Sequence, residues 1–173
     1  MSDTRGAAAP NVHGGAANRV STTGNRFEEV ATAMGAQISS VMTPNPVCVP
    51  RDASLSATAA IMRDSDIGAV VVMDDGRITG IATDRDLVVR GLADGADPVQ
   101  TPVATVASPS AVALSADSST ADAVRQMRES SVRRLPVCDT AGNPIGIVSL
   151  GDLAEEMDPE SALADISSAT PNV

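Results

Sequence analysis

Two seven-residue words in the sequence place a glycine, a hydroxyl and a carboxylate at the same spacing. They read GIATDRD and GIVSLGD, and the matched residues are Gly80, Thr83 and Asp86, then Gly146, Ser149 and Asp152. A hydroxyl followed three residues later by an acid is the capping-box pattern, which satisfies free amides at the start of a helix. The same groups suit a nucleotide, because a carboxylate accepts hydrogen bonds from a ribose diol and a helix start favours phosphate. The spacing alone leaves both interpretations open.

The glycines of the two words interrupt segments that otherwise have the composition of strands. Glycine weakens a strand interior, so Gly80 and Gly146 indicate that another group approaches the backbone closely at these points. Helix capping does not require such an approach, whereas ligand binding does. Because glycine, hydroxyl and aspartate occur together twice, the binding interpretation stands level with the capping one.

The two words belong to a longer internal repeat. VMTPNPVCVPRDAS, which begins at Val41, aligns with VASPSAVALSADSS, which begins at Val106, at an offset of 65 residues. After one extra loop residue the offset becomes 66, and the two words then overlay. A copy of about 55 residues is too small to bury a core by itself, so we expect the copies to pack against each other.

Within each copy the local patterns predict a strand, a helix, two strands and a second helix. In the first copy these are 46–49, a helix that begins at Asp52, 67–73, 78–82 and 84–91. In the second copy a helix begins at Asp117. It is followed by strands over 132–137 and 145–148 and by a helix over 150–157. The Asp75-Gly76 pair is typical of a hairpin turn. The sequence therefore predicts an α/β fold of the α+β kind, with two β-α-β-β-α units about a pseudo-twofold axis.

The chain divides into four segments. Residues 1–30 are small and polar without an apolar period, which is typical of a disordered tail. We expect the first repeat over 31–97 and the second over 98–158, with a linker from Gly91 to Pro102. Residues 159–173 are again of low complexity, and we expect them to form a flexible C-terminal tail.

Composition argues against nucleic acid as a partner. The net charge is −10, and all 12 basic residues are arginine, so a polyanionic backbone is repelled. Phe27 is the one aromatic residue of the chain, so no platform for base stacking exists. A planar ligand would therefore have to lie between aliphatic side chains.

Composition also argues against catalysis and against a membrane segment. Cys48, Cys138 and His13 are too sparse for a zinc site or a Cys-His nucleophile, and no other nucleophile stands beside a base. The two cysteines fit either small buried hydrophobes or a disulfide or redox role. The longest apolar run, Ala69 to Met73, is too short to span a bilayer, and residues 1–30 lack the apolar stretch that is typical of a signal peptide. We therefore expect a non-enzymatic protein of the cytoplasm.

The repeat, the VMTPNPV opening, the DIGAVVV strand and the two words together resemble the CBS domain family, named after cystathionine β-synthase, across residues 38–157. The segment DRDLVVRGLADGADP further resembles the stand-alone CBS pairs known as hypoxic response proteins. The resemblance implies a disc-shaped pair, or Bateman module, that forms a homodimer. It also implies two clefts that hold AMP, ADP, ATP or S-adenosylmethionine.

The resemblance assigns roles to particular residues of this chain. It implies that Asp86 and Asp152 bind ribose and that Thr83 and Ser149 lie on the phosphate side, next to Gly80 and Gly146. The adenine walls would come from the opening segments and from strand residues, namely Thr43, Pro44, Val47, Gly68, Ala69 and Val70, and Ser108, Pro109, Val112, Arg133, Arg134 and Leu135.

The two copies differ in charge at one point that bears on ligand binding. Gly68 and Ala69 of the first copy correspond to Arg133 and Arg134 of the second. Side chains alternate along a strand, so at most one of the two arginines faces a given cleft, where it would pair with phosphate. Pairing with a surface carboxylate is the alternative. Asp84 and Arg85 lie beside the first word, where they either face the ligand or, on a helix start, complement the dipole or face solvent.

Two functions remain after these exclusions. The first is a sensor or buffer of adenosine compounds, which acts through its own dimer or through a protein partner that the sequence does not identify. The second is a ligand-free interaction or scaffold protein, connected with stress, in which the two words serve only as helix caps. No cofactor beyond the adenosine ligand is predicted.

Overall fold

The computed structural model describes residues 35–109 and 113–169, which form helices and two four-stranded sheets. The helices are α1 (Ile38–Val41), α2 (Leu55–Asp64), α3 (Asp84–Asp86), α4 (Thr120–Ser130), α5 (Leu150–Met157) and α6 (Ala162–Ser168). The strands are β1 (Thr43–Pro44), β2 (Cys48–Pro50), β3 (Ala69–Asp74), β4 (Arg77–Thr83), β5 (Ser108–Pro109), β6 (Leu114–Ser115), β7 (Arg134–Cys138) and β8 (Pro144–Ser149). The predicted α/β class with two related units is confirmed.

The long helices begin at serine caps, three residues later than the sequence patterns predict. The Ser54 hydroxyl accepts a hydrogen bond from the Ala57 amide, and α2 therefore begins at Leu55 rather than at Asp52. Ser119 plays the same part for α4, which begins at Thr120 rather than at Asp117. The aspartates were wrong as helix starts because each is followed by a serine that meets the free amides of the first turn.

The first sheet has the order β2-β3-β4-β5, with β2 parallel to β3 and the other pairs antiparallel. The hairpin between β3 and β4 turns at Asp75 and Gly76, whose φ angles are 46° and 76°. Both residues are left-handed, as the Asp-Gly pair predicts. The second sheet has the order β1-β8-β7-β6 and repeats this arrangement.

The two repeats exchange their opening segments. Thr43 of the first repeat pairs with Ile147 of the second, and Ser108 of the second pairs with Ile81 of the first. The helix before each opening strand crosses as well: Ile38 is buried in the core of the second repeat. Each sheet therefore contains one strand from the other repeat. That strand pairs with β4 or β8, the strands that carry Gly80 and Gly146.

Two helical segments differ from the sequence expectations. After α3 the chain continues as a π-helical turn, Leu87–Gly91, and then as a 3-10 turn, Leu92–Asp94, within the predicted linker. The composition predicts a flexible tail from residue 159, but residues 162–168 form α6. Ser161 caps α6, and the buried Ala164 anchors it, which offsets the polar composition that suggested a tail. α6 packs along α5.

Several sequence expectations lie outside the described residues. These are the disordered tail over residues 1–30 with His13 and Phe27, Val112 of the second opening segment, and the last residues of the chain. In residues 35–109 and 113–169, no helix combines the length and the apolar character that crossing a membrane requires.

Candidate functional site

The glycines of the two words lie where the repeats exchange strands. Gly80 on β4 pairs with Pro109 on β5, and a Cβ at Gly80 would stand 2.7 Å from the Ser108 carbonyl oxygen. Gly146 on β8 pairs with Pro44, and a Cβ there would collide with the side chain of Met42. The close approach that the sequence indicates is therefore made by the other repeat itself, through backbone at Gly80 and mainly through the Met42 side chain at Gly146.

The hydroxyl and carboxylate of each word form a capping box. Asp86 Oδ2 accepts hydrogen bonds from the Thr83 amide at 3.0 Å and from Thr83 Oγ1 at 2.6 Å. The Asp86 amide donates back to Thr83 Oγ1 at 3.2 Å. Asp152 and Ser149 repeat the arrangement, with amide-to-oxygen distances of 2.7 Å and 3.2 Å. Capping is thus confirmed for both words, and it engages one oxygen of each carboxylate.

A cleft of about 500 Å³ lies where the first sheet meets the start of β7. One wall comes from β4 and β5, and the other comes from the end of α4 and from β7. The lining residues are Ile81, Arg90, Ser108 and Pro109 on the first side, and Ser130, Ser131, Val132, Arg134, Leu135 and Pro136 on the second. This cleft brings together four of the predicted residues: Ser108, Pro109, Arg134 and Leu135.

Two arginines and no carboxylate belong to the lining of this cleft. Arg134 is the one of the paired arginines that faces it, in keeping with alternation along the strand. A Cβ at Gly68 would lie 3.6 Å from Arg134 Nη2 and 3.5 Å from Asp84 Oδ2, so both side chains reach the space above Gly68. Arg90 was not predicted as a site residue; its spacing of four residues from Asp86 was the available signal.

Other predicted residues lie elsewhere. Ala69 and Val70 are buried in the first sheet, and the side chain of Val70 is part of the first core, so it does not line a cleft. Val47 packs against that core. The Arg133 carbonyl oxygen accepts a hydrogen bond from the Leu150 amide, and the Arg85 amide donates one to the Asp84 carboxylate. Thr43 and Pro44 lie beside β8 and thus belong with Ser149 and Asp152 rather than with the described cleft.

A second cavity, of about 550 Å³, contains none of the predicted residues. It lies beside β2 and the end of β3, and Arg51 and Asp74 on its wall form an ion pair at 2.7 Å. These charges neutralise each other, and no residue of the repeated words reaches this cavity.

The two cysteines are free thiols. Burial raises the pKa of the Cys48 thiol, and burial and the charge of Asp139 raise that of Cys138. Both therefore favour the protonated, less reactive form at neutral pH. The described part of the chain contains no group of three or more His, Cys, Asp or Glu residues arranged to hold a metal ion.

The paired units, the exchanged opening segments and the two capped words define a tandem pair of related α/β modules. The CBS domain model matches residues 38–91 and 103–159, and the chain belongs to the CBS domain family. Pairs of CBS domains are regulatory modules, and no enzyme family is indicated for this chain.

Relatives of known name support this membership. CBS domain-containing protein YhcV of Bacillus subtilis is 37% identical over 126 residues, which cover 72% of this chain and 89% of the relative. Hypoxic response protein 1 of Mycobacterium tuberculosis is 36% identical over 130 residues, 75% of this chain and 90% of the relative. The crystal structure of Hypoxic Response Protein I with two coordinated zinc ions superposes on this chain with a TM-score of 0.62 and 36% sequence identity. The superposition covers 69% of this chain and 98% of the other chain.

Proposed function

We propose that this CBS pair is a regulatory module that binds an adenosine-type ligand in the cleft where the repeats meet. The observation that carries the proposal is the cleft, whose volume of about 500 Å³ is in the range of small-molecule sites. The candidate ligands are AMP, ADP, ATP and S-adenosylmethionine, as the family resemblance implies.

The chemistry of the walls supports an adenosine ligand. Pro109 and the partly buried Val132 are apolar residues of the two walls, between which a planar base can lie without an aromatic partner. Arg134 supplies charge-assisted donors for phosphate. Asp86 stands beside the cleft, since Arg90 contacts both its carboxylate and Ser108 on the wall. A hydroxyl-accepting carboxylate, an apolar slot and a cation are the three features that an adenosine phosphate requires.

The same reasoning extends to the second copy. Thr43 and Pro44 stand to Ser149 and Asp152 as Ser108 and Pro109 stand to Thr83 and Asp86, because the strand pairings of the two repeats are equivalent. We propose a second ligand position there. Zinc is not part of the proposal, because the described residues bring no set of metal ligands together.

We also propose a second copy of the chain as a partner, as the resemblance implies. Val88, Val89 and Leu92 follow Asp86 and are each about half exposed, at 55%, 46% and 54%. Large apolar side chains grouped on a surface are typical of a contact with another protein. Sedimentation equilibrium is expected to give a dimer, and a monomer at all concentrations would contradict this. The cytoplasmic location and a role in stress stay predictions.

A scaffold function without a ligand is the second candidate. It is favoured by the capping boxes, which explain the hydroxyls and aspartates of both words without any ligand. It does not explain Arg134 on the cleft wall.

Isothermal titration of the purified chain with ATP, AMP and S-adenosylmethionine distinguishes the two functions. We expect saturable binding of at least one of them with a dissociation constant of about 1–100 μM, which corresponds to about 5–8 kcal/mol. Inorganic triphosphate is the control for attraction of charge alone and is expected to bind far more weakly. Absence of binding by all three adenosine compounds at millimolar concentration would favour the scaffold.

A further inference from the structure

Arg90 links the two repeats at the edge of the cleft. Its Nη1 donates to the Val106 carbonyl oxygen at 3.1 Å and to Ser108 Oγ at 2.9 Å, and it lies 3.4 Å from Asp86 Oδ1. The side chain is 51% exposed, so it can move without disrupting a core. A guanidinium has five N–H donors, and these contacts involve one of its three nitrogens.

The contact with Asp86 bears directly on ligand binding. One oxygen of this carboxylate, Oδ2, is engaged by Thr83 in the helix cap, and the other, Oδ1, faces Arg90. A ribose diol that binds Asp86 must therefore share Oδ1 with Arg90 or displace it. A displaced guanidinium at a partly buried carboxylate loses a charge-assisted contact, which disfavours binding unless the ligand offers a replacement.

A phosphate group is such a replacement, whereas an unphosphorylated nucleoside offers none. Arg134 lies in the lining of the same cleft, and no carboxylate belongs to that lining. The charged side chains of the lining are thus both cationic, with Asp86 next to Arg90 and Asp84 near Arg134 just outside it, in a chain whose net charge is −10. Two arginines around one groove match the charge of a phosphate chain.

The other copy lacks this device. Four residues after Asp152 the chain has Glu156, where the first copy has Arg90 four residues after Asp86. Two acids at this helical spacing repel each other and cannot form an ion pair. The arginine is therefore a property of one ligand position rather than a feature common to both repeats.

We propose that Arg90 is a specificity-determining residue that makes this cleft selective for phosphorylated adenosine compounds over unphosphorylated ones. The inference rests on the proposed function and deepens it. In the free protein Arg90 holds Asp86 and the second opening segment together. In the bound protein it turns from Asp86 to the phosphate, and the ribose takes the vacated oxygen.

The test is the ratio of affinities for ATP and adenosine, measured by titration on the wild type and on Arg90→Gln. We expect the wild type to bind ATP at least about tenfold more tightly than adenosine, since one charge-assisted contact is worth about that factor. In Arg90→Gln the ratio should fall about tenfold, because ATP loses a contact while adenosine no longer competes with a cation. Arg90→Lys keeps the charge and should keep most of the preference.

Arg125→Gln is the matched control, because Arg125 pairs with Asp122 one helical turn away and lies outside the cleft lining. Its ratio should equal that of the wild type. A ratio in Arg90→Gln within twofold of the wild type would overturn the inference, as would an equal fall in Arg125→Gln. If the wild type binds ATP and adenosine equally, the inference fails and the proposed function stands. If it binds none of ATP, AMP, adenosine and S-adenosylmethionine, the proposed function fails.

Discussion

Within residues 35–109 and 113–169, three aspartates form the same capping box, and two of them belong to the repeated words. Asp86, Asp122 and Asp152 each accept the amide of a Thr or Ser three residues earlier. Asp122 lies in α4, and hydrogen bonds from Ser119 hold the pKa of its carboxyl below the usual value. Its contribution to stability is therefore present at neutral pH and is lost as the pH falls through its folded-state pKa.

Comparing Asp86 with Asp122, which caps a helix but lies outside the two words, distinguishes capping from ligand binding at a single residue. Asp86→Ala loses a helix cap and should lower the melting temperature by about 2–4 °C. Asp122→Ala loses an equivalent cap and should lower it in the same direction. Only Asp86→Ala is expected to weaken ATP binding, by about tenfold. Calorimetric titration at pH 7.5 measures the affinities, and an unchanged affinity in Asp86→Ala would assign Asp86 to capping alone.

The residue-level features of the two words were predictable from the sequence, since a hydroxyl followed by an acid after three residues was enough to find both caps. The sequence did not predict that Arg90 contacts Ser108. That contact crosses between repeats at a separation of 18 residues, and no spacing rule within one helix indicates it.

At the scale of elements, strands and turns were predictable wherever a local pattern marks them. The β-branched runs gave β3, β4, β7 and β8 to within a few residues, and the predicted helix over 150–157 coincides with α5. The exchange of β1 and β5 was not predictable, because two-residue strands carry no alternation that could indicate a partner. The strand glycines were correctly taken as sites of close approach, but the approaching group is the chain itself.

This exchange makes Gly80 a packing residue. A Cβ at Gly80 meets the Ser108 carbonyl oxygen at 2.7 Å, and a backbone atom cannot move aside cheaply. Gly80→Ala should therefore lower the free energy of unfolding by about 1–3 kcal/mol. Gly68→Ala is the matched control, because its nearest neighbour would lie at 3.5 Å, an ordinary contact. Urea denaturation compares the two, and equal stability of both variants would contradict the close approach.

At the scale of the whole molecule, the internal repeat determines the architecture. Neither half has a complete sheet by itself, since each takes an opening strand from the other. The cleft exists because of this exchange: its walls contain Ser108 and Arg134 of the second repeat and Ile81 and Arg90 of the first. A ligand bound in it would touch both repeats and stabilise one arrangement of them, which is how ligand binding can regulate through such a module.

A crystal structure of the chain grown with ATP tests the central claim most directly. The account predicts electron density for the adenine between Pro109 and Val132, the ribose at Asp86 and the phosphates near Arg90 and Arg134. Density at any other place on the surface, with this cleft filled by solvent alone, would contradict it.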